Sequence, residues 1–209
     1  MLKIVIADDH AIVRHGLRQI VNAEPTMKVV GEATNGSEVL DIVRTSEVDI
    51  VVLDITMPGR NGLDTLKELR RLSPPVAVIV LSMHPKDQYA MRVLKAGAAG
   101  YISKESAPEE LVAAIRKAVS GEKYITPDMA ELVADYIYRG RSDEPHAQLS
   151  DREFEVLRMI GSGKGMTEIA RDINLSVKTV STYRSRIIEK TGLHSNAEMT
   201  RYVVERGLI

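Results

Sequence analysis

Five short apolar runs alternate with five amphipathic segments over the first 120 residues, and this alternation constrains the fold most. The runs lie near 2–7, 28–33, 49–54, 76–82 and 99–102, and the helical patterns near 11–23, 36–46, 62–73, 86–97 and 107–120. Runs rich in β-branched residues that alternate with helical periods are typical of parallel strands joined by right-handed helical crossovers. The sequence therefore predicts an α/β domain with a five-stranded, doubly wound parallel sheet.

Polar side chains stand at the ends of four of these predicted strands. Because the carboxyl ends of parallel strands meet at one edge of a sheet, we expect these side chains to lie close together. They are Asp8 and Asp9 after the first strand, Asp54 at the end of the third, Ser82 at the end of the fourth and Lys104 after the fifth. Pro58 and Gly59 predict a loop just beyond Asp54.

These five side chains suit the acceptance of a phosphoryl group. The carboxylates of Asp8, Asp9 and Asp54 suit Mg²⁺, a hard cation that prefers oxygen ligands. A carboxylate such as Asp54 can attack phosphorus once a cation offsets its charge. Lys104 would pair with phosphoryl oxygens, and the Ser82 hydroxyl would donate to one of them. The alternative is that the Asp and Ser side chains only cap the following helices, although capping does not require a lysine at the last strand.

From Leu149 onward the hydrophobic pattern is helical, which predicts an all-α domain of four helices. The helices begin at the capping box Ser150–Glu153, at Thr167, at Ser176 and at the capping box Ser195–Glu198, and the last ends near Arg206. A short helix joined by a tight turn to a longer helix with polar outward positions is typical of a helix-turn-helix.

The predicted helix from Ser176 to Lys190 is locally basic in a chain whose net charge is −1. Since the N-terminal residues of such a helix enter the major groove, the hydroxyl residues on one face are expected to read base edges. Those residues are Ser181, Thr182 and Ser185, while Lys178 and Arg184 are expected to hold phosphates. Tyr183 fits either a phosphate donor or a packed residue. The alternative for the whole pattern is a solvated helix face.

Residues 121–147 are predicted to link a domain at 1–120 to a domain at 148–209. The stretch from Asp128 to Tyr138 predicts a short helix that Thr126 and Pro127 would open. Residues 140–145 form a polar break that contains Gly and Pro, which favours flexibility there.

Composition excludes several other classes of protein. The chain has no cysteine, which excludes a disulfide framework and cysteine-based metal or redox chemistry. It has no apolar run of about 18 residues and no signal-peptide pattern, so no membrane segment is predicted. The Gly161–Gly165 stretch resembles a phosphate loop only faintly, because it follows a helix and lacks Ser or Thr after Lys164. The five histidines show no metal-ligand spacing, but we expect His10 to flank the acidic pocket and His84 to affect water access to it.

The motifs in the first domain resemble the receiver domain of bacterial two-component response regulators, which has a flavodoxin-like fold. The resemblance lies in Asp8-Asp9-His10, Asp54 with Met57-Pro58-Gly59, Leu81-Ser82 and Tyr101-Ile102-Ser103-Lys104. It implies that Asp54 is the phosphoacceptor and that Asp8, Asp9, Asp54 and the backbone carbonyl of Thr56 hold Mg²⁺. It further implies that Ser82 and Tyr101 are the switch residues and that Lys104 is the counter-ion of the phosphoryl group.

The second domain is similar to the LuxR-type helix-turn-helix, and the whole chain resembles a NarL/FixJ-family response regulator. The similarity lies in Leu149–Glu153, Glu168–Ala170, Ser176–Ser181, and Lys190 with Gly192-Leu193, and it adds Thr179 to the predicted DNA-binding residues. That family often has lysine at position 181 and histidine at position 183, so base-reading roles do not transfer directly to Ser181 and Tyr183.

The resemblance implies a phosphorylation-switched transcription factor with defined partners. These are a sensor histidine kinase, double-stranded promoter DNA, RNA polymerase and a second copy of the chain, with no membrane and a cytoplasmic location. On the last helix, Ala197, Arg201 and Val204 form one stripe that is expected either to pair two DNA-binding domains or to remain solvated.

Two other functions are weighed against this one. The first is a phosphatase of the haloacid-dehalogenase type, which usually has a second Asp two residues after its nucleophile. Thr56 occupies that position here, so rapid turnover is not expected. The second is an interaction adaptor without DNA binding, against which the basic helix argues.

Overall fold

The computed structural model describes residues 1–72, 76–82, 86–139 and 144–209. They form two compact units, Met1–Ala134 and Asp135–Ile209, which are considered separately. Within the described ranges, no helix is both long enough and apolar enough to cross a membrane. The prediction for His84 and the predicted break at residues 140–143 lie outside the described ranges.

The first unit is built on the five-stranded parallel sheet that the sequence predicted, and its strands stand in the order β2-β1-β3-β4-β5. The strands are β1 Leu2–Ala7, β2 Met27–Ala33, β3 Ile50–Asp54, β4 Ala77–Ser82 and β5 Gly100–Ser103. The chain steps from β1 to β2 in one direction and then crosses back past β1 to β3 in the other. In such sheets ligands bind beyond the carboxyl ends of the strands at this switch point, here between β1 and β3.

Helices follow the strands and cover both faces of the sheet. They are α1 Ala11–Asn22, α2 Gly36–Thr45, α3 Gly62–Leu72, α4 Lys86–Lys95 and α5 Ala107–Val119. One buried hydrophobic cluster lies between the sheet and the helices α1 and α5. Every strand contributes to it, and Ile4, Ile50, Ile79 and Ile102 are among its fully buried members. Because strand side chains alternate between faces, Tyr101 points to the opposite face, where it is also fully buried.

The chain after α5 adds a short connection to the exposed edge of the sheet. Tyr124 forms a parallel bridge with Gly100, and its backbone N–H donates to the Ala99 carbonyl at 2.7 Å. A side chain at Gly100 would meet the Tyr124 Cβ at 3.0 Å, so glycine permits this close approach. Helix α6, Pro127–Arg139, follows one residue earlier than the prediction and includes Met129, which is fully buried.

From residue 144 onward, the second unit contains the four helices that the periodicity predicted, preceded by a 3₁₀ turn that it did not predict. They are the turn at Pro145–Gln148, α7 Asp151–Gly161, α8 Met166–Asp172, α9 Val177–Thr191 and α10 Asn196–Glu205. Both predicted capping boxes form, at Ser150 and at Ser195, and the Ser176 hydroxyl accepts from the Thr179 N–H at 3.0 Å. A Cβ at Gly161 would meet Val203 at 2.8 Å, so α7 and α10 pack closely there.

The glycine-rich stretch after α7 is a turn between helices, as expected. Gly163 has a φ of 85°, which glycine adopts without strain. Lys164 pairs with Asp172 of α8 at 2.7 Å instead of facing an anion site. The stretch is therefore a structural connection and not a phosphate loop.

Candidate functional sites

Three strand ends bring two carboxylates and one ammonium into contact. The Lys104 Nζ lies 2.6 Å from Asp8 Oδ2 and 2.8 Å from Asp54 Oδ2. Side-chain alternation explains the meeting, because Asp8 and Asp54 each lie two residues beyond a residue of the α1–α5 face, namely Ile6 and Val52. All three charged side chains are almost fully buried. The carboxylates are thus held together by one cation in a place that water barely reaches.

Burial sets the protonation behaviour of this group of charges. Removal from water raises the pKa of Asp54 from 3.8 to about 6, and the attraction of Lys104 offsets only part of that effect. Burial alone would lower the pKa of Lys104, but its attraction to Asp54 and Asp8 outweighs burial and raises that pKa. Asp54 is therefore mostly ionised at neutral pH, as a nucleophilic carboxylate must be. Its ionised form is nevertheless less stable in the folded protein than in water, because burial removes its hydration.

Asp9 and His10 complete the acidic side of the pocket. Ligand atoms of Asp8, Asp9, His10 and Asp54 all lie within 4.8 Å of one another. The backbone N–H of His10 donates to Asp8 Oδ1 at 2.8 Å, which fixes the carboxylate at the start of α1. This set of carboxylate oxygens fits a hard divalent cation such as Mg²⁺.

The loop after β3 folds back over Asp54. The Thr56 N–H donates to Asp54 Oδ1 at 3.2 Å, so the residue predicted to offer its carbonyl lies next to the nucleophile. A Cβ at Gly62 would lie 2.0 Å from the Asp54 carbonyl oxygen, so only glycine allows α3 to begin there. Thr56 itself is exposed.

Ser82 and Tyr101 lie on the two strands that border the pocket. Ser82 is buried at the end of β4, one residue beyond the partner of Asp54 in the β3–β4 register. The Lys104 N–H donates to the Ser82 carbonyl at 2.9 Å, which ties the ends of β4 and β5 together. Tyr101 has no exposed surface. Both predicted switch residues thus lie on strands that end at the pocket, and their roles stay predictions.

The second unit presents the predicted DNA-binding residues on α9. Four of the seven, Lys178, Ser181, Thr182 and Ser185, are exposed, and Arg184 is half-buried. Thr179 is half-buried as well, and its hydroxyl lies 2.8 Å from that of Ser176. Tyr183 is also half-buried, so the two interpretations of this side chain both remain open.

Contacts within the second unit already engage some of the cations of α9. Lys190 lies 2.6 Å from Glu153 of α7, so its charge has a partner inside the domain. The Arg184 Nε donates to the Asn196 side chain at 2.9 Å, which orients the guanidinium without neutralising it. Thr182 and Ser185 donate their hydroxyls to helix carbonyls at 3.0 and 3.1 Å. In that rotamer the two hydroxyls would face bases mainly as acceptors.

The last helix exposes the predicted stripe. Ala197, Arg201 and Val204 are all exposed, whereas Met199 and Val203 of the same helix are fully buried. Arg201 lies 3.9 Å from Glu205, a surface pair that contributes little to stability. The stripe is accessible, and its role in pairing two chains stays a prediction.

Sequence reasoning anticipated the position of His10 but missed other contacts. His10 was expected to flank the acidic pocket, and its side chain stands within the acidic cluster. The Arg14 guanidinium donates to the Asp8 carbonyl at 2.7 Å, and only its position one turn after His10 could have suggested this. Tyr202 bonds to His146 at 2.8 Å and to Glu144 at 3.2 Å, a connection that no sequence pattern announced.

Comparison with known families accounts for both units. Residues 4–116 match the response regulator receiver domain, and residues 147–203 match the luxR family of bacterial regulatory proteins. A parallel sheet with an acidic, lysine-containing edge, followed by a helix-turn-helix domain, defines the class of two-component response regulators.

Relatives over the full length give the particular family. The response regulator UvrY of Escherichia coli K12 is 39% identical over 209 residues, which cover 100% of this chain and 96% of UvrY. The oxygen regulatory protein NreC of Staphylococcus carnosus is 36% identical over 100% of this chain and 99% of NreC. The structure of RcsB from Salmonella enterica serovar Typhimurium bound to promoter P1flhDC with phosphomimetic BeF3- has a TM-score of 0.69 at 28% identity and covers 98% of each chain. The chain belongs to the NarL/FixJ family of DNA-binding two-component response regulators.

Proposed function

We propose that Asp54 accepts a phosphoryl group from a sensor histidine kinase or a small phosphodonor and that this event switches DNA binding by the second domain. An Asp54 carboxylate oxygen forms a bond to phosphorus, while the bond from phosphorus to the donor breaks and its electron pair leaves with the donor. The observation that carries the proposal is the buried contact of Lys104 with both Asp8 and Asp54.

Mg²⁺ is the cation that the pocket is proposed to hold. Asp8, Asp9, Asp54 and the Thr56 carbonyl would be its protein ligands, all of them oxygen donors. Bound there, the cation would offset the charge of the carboxylates and of the incoming phosphoryl group. Lys104 supplies a second positive charge, at 2.8 Å from Asp54 Oδ2.

Lys104 also provides a physical route from the pocket to the rest of the domain. A phosphoryl dianion on Asp54 would compete with the carboxylates for the Lys104 ammonium. Because the Lys104 N–H is bonded to the Ser82 carbonyl, a shift of the lysine would be felt at the ends of both β4 and β5. Ser82 and Tyr101 are proposed to follow that shift and to alter the surface around α4.

DNA binding is proposed to use the exposed face of α9. Lys178 and Arg184 would hold phosphates, with Tyr183 as a further donor, and Ser181, Thr182 and Ser185 would face base edges. Thr179 would act chiefly on the position of the helix start, because its backbone and hydroxyl are engaged with Ser176. Since the base-facing side chains are short hydroxyls, we expect modest specificity and a strong dependence on salt.

Assembly and partners complete the proposal. The stripe Ala197, Arg201 and Val204 would pair two phosphorylated chains on inverted half-sites, and RNA polymerase would be a further partner at promoters. A cytoplasmic location is proposed because the promoter DNA and a phosphodonor must both be accessible. Val204→Glu should lower the cooperativity of DNA binding without changing the circular dichroism of the chain, and unchanged cooperativity would remove the stripe from the interface.

Turnover as a phosphatase is not proposed, because the position two residues after Asp54 carries Thr56 and no general acid. Incubation with generic phosphate esters and Mg²⁺ separates the two functions. Slow labelling of one site supports the switch, and sustained release of phosphate would support the enzyme.

The experiment for the switch compares DNA affinity with and without acetyl phosphate in three proteins. Wild type should gain affinity on phosphorylation. Asp54→Asn should show no gain. Lys104→Ala should accept the phosphoryl group yet fail to gain affinity, because without the ammonium the phosphoryl charge no longer attracts residue 104 and shifts the strand ends. Equal gains in Lys104→Ala and wild type would contradict the role of Lys104.

A further inference from the structure

His10 places an imidazole nitrogen among the carboxylates of the receiver pocket. Its Nδ1 lies 2.9 Å from Asp9 Oδ1 and 3.2 Å from Asp8 Oδ1. Two features hold it there: His10 precedes α1 directly, and its backbone N–H donates to Asp8 at 2.8 Å. A ring nitrogen of His10 belongs to the group of ligand atoms that lie within 4.8 Å of one another, a group that includes an Asp54 oxygen.

The donor chemistry of the pocket therefore differs from that of carboxylates alone. Mg²⁺ takes oxygen ligands and gains little from imidazole. Imidazole is a good ligand for Co²⁺, Ni²⁺ and Zn²⁺, and affinity for a mixed nitrogen and oxygen site rises from Mn²⁺ towards Cu²⁺.

His10 is free to adjust to such an ion. Its side chain is 64% exposed, whereas the side chains of Asp8 and Asp54 are almost fully buried. A ring on the rim of the pocket can rotate without opening a cavity in the core. The flexible member of the set is thus the nitrogen donor, and the buried carboxylates form a fixed base.

We propose that His10 is a ligand that makes the receiver pocket bind transition-metal dications, such as Co²⁺ or Zn²⁺, more tightly than Mg²⁺. The proposal rests on the proposed function in that the carboxylates are taken to hold Mg²⁺. It adds that a transition-metal dication, where one is available, would displace Mg²⁺ from the pocket beside Asp54.

Metal titrations of the full unphosphorylated chain test this proposal. Affinities for Co²⁺ and for Mg²⁺ are measured by calorimetry, and the visible absorption of bound Co²⁺ reports its ligands. His10→Ala should weaken Co²⁺ binding by about tenfold or more and move the Co²⁺ absorption, with nearly unchanged Mg²⁺ affinity. The matched control is His15→Ala, since His15 is an exposed histidine of α1, five residues after His10, and its Nδ1 lies 2.9 Å from the Arg18 guanidinium. That control should change neither affinity.

Three results would overturn the proposal. They are Co²⁺ binding no tighter than Mg²⁺ in wild type, Co²⁺ affinity that His10→Ala leaves unchanged, and an equal loss of affinity for both metals in His10→Ala. The last would mean that His10 only orients the Asp9 carboxylate. Failure of the proposed function looks different, because wild type would then bind no Mg²⁺ and accept no phosphoryl group at Asp54.

Discussion

Replacing Asp54 by asparagine should change how the stability of the first unit depends on pH. The pKa of Asp54 is raised by burial from 3.8 to about 6. One pKa unit corresponds to about 1.4 kcal/mol, so holding the ionised carboxylate costs the folded state about 3 kcal/mol relative to the neutral form. Asparagine has nearly the same shape and does not titrate, and Lys104 keeps its contact with Asp8 in the variant.

The sign follows from the two pKa values. Because the folded value lies above the unfolded one, the contribution of Asp54 to stability is fully present below about pH 4 and is lost as the pH rises to about 6. The free energy of unfolding of wild type, minus that of Asp54→Asn, should therefore fall by about 3 kcal/mol between these limits and then stay level. Mg²⁺ should restore much of the loss in wild type, because a bound cation favours the ionised carboxylate.

Urea unfolding of the full chain, followed by circular dichroism at several pH values in a chelator, measures this difference. Unfolding of the second unit, Asp135–Ile209, provides an internal control because it contains no part of the pocket. A difference between the two proteins that does not vary from pH 4 to pH 7, or that rises with pH, would refute the argument that burial dominates the electrostatics of Asp54.

Three further predictions concern other parts of the chain. Gly100→Ala should push Tyr124 away from β5, because the new Cβ would lie 3.0 Å from the Tyr124 Cβ. Hydrogen exchange of the Tyr124 amide should then become faster, and an unchanged rate would show that the sheet edge tolerates the side chain. Lys178→Ala should weaken binding to all operator variants alike and reduce the slope of log affinity against log salt concentration by about 1. Thr182→Ala should instead change the sequence preference, by about 1 kcal/mol at one base pair. The reverse pattern in a titration of operator variants would exchange the roles of the two residues. Burial and the charge of Glu144 raise the pKa of Tyr202 to about 12, so Tyr202→Phe should remove a phenol that ionises near pH 12. An ultraviolet titration of wild type in which every tyrosine ionised near pH 10 would contradict this.

Much of the fold could be predicted because local patterns and global packing agree in this chain. The apolar runs that contain Ile4, Ile50, Ile79 and Ile102 alternate along the chain with helical segments. A parallel sheet is the fold that agrees with both patterns. The residues of the pocket were predictable for the same reason. Once the strands are parallel, their carboxyl ends must share one edge, and the polar residues there must meet.

Contacts that depend on three-dimensional details could not be predicted. Tyr124 lies in a stretch that reads as a linker, yet it extends the sheet edge, because only the absence of a side chain at Gly100 lets it approach. Lys190 contributes to the basic pattern of α9, but its charge pairs with Glu153 of another helix, since the direction of a long side chain is set by its neighbours. The raised pKa of Asp54 depends on burial on all sides, which periodicity does not report.

The most direct test of the central claim is to locate the phosphoryl group. The full chain is incubated with acetyl phosphate and Mg²⁺, the acyl phosphate is reduced with borohydride, which leaves homoserine at the modified aspartate, and peptides are identified by mass spectrometry. We predict homoserine at position 54, none at Asp8 or Asp9, and none anywhere in Asp54→Asn. Modification at Asp8 or Asp9 in wild type, or equal labelling of Asp54→Asn, would contradict the assignment of Asp54 as the phosphoacceptor.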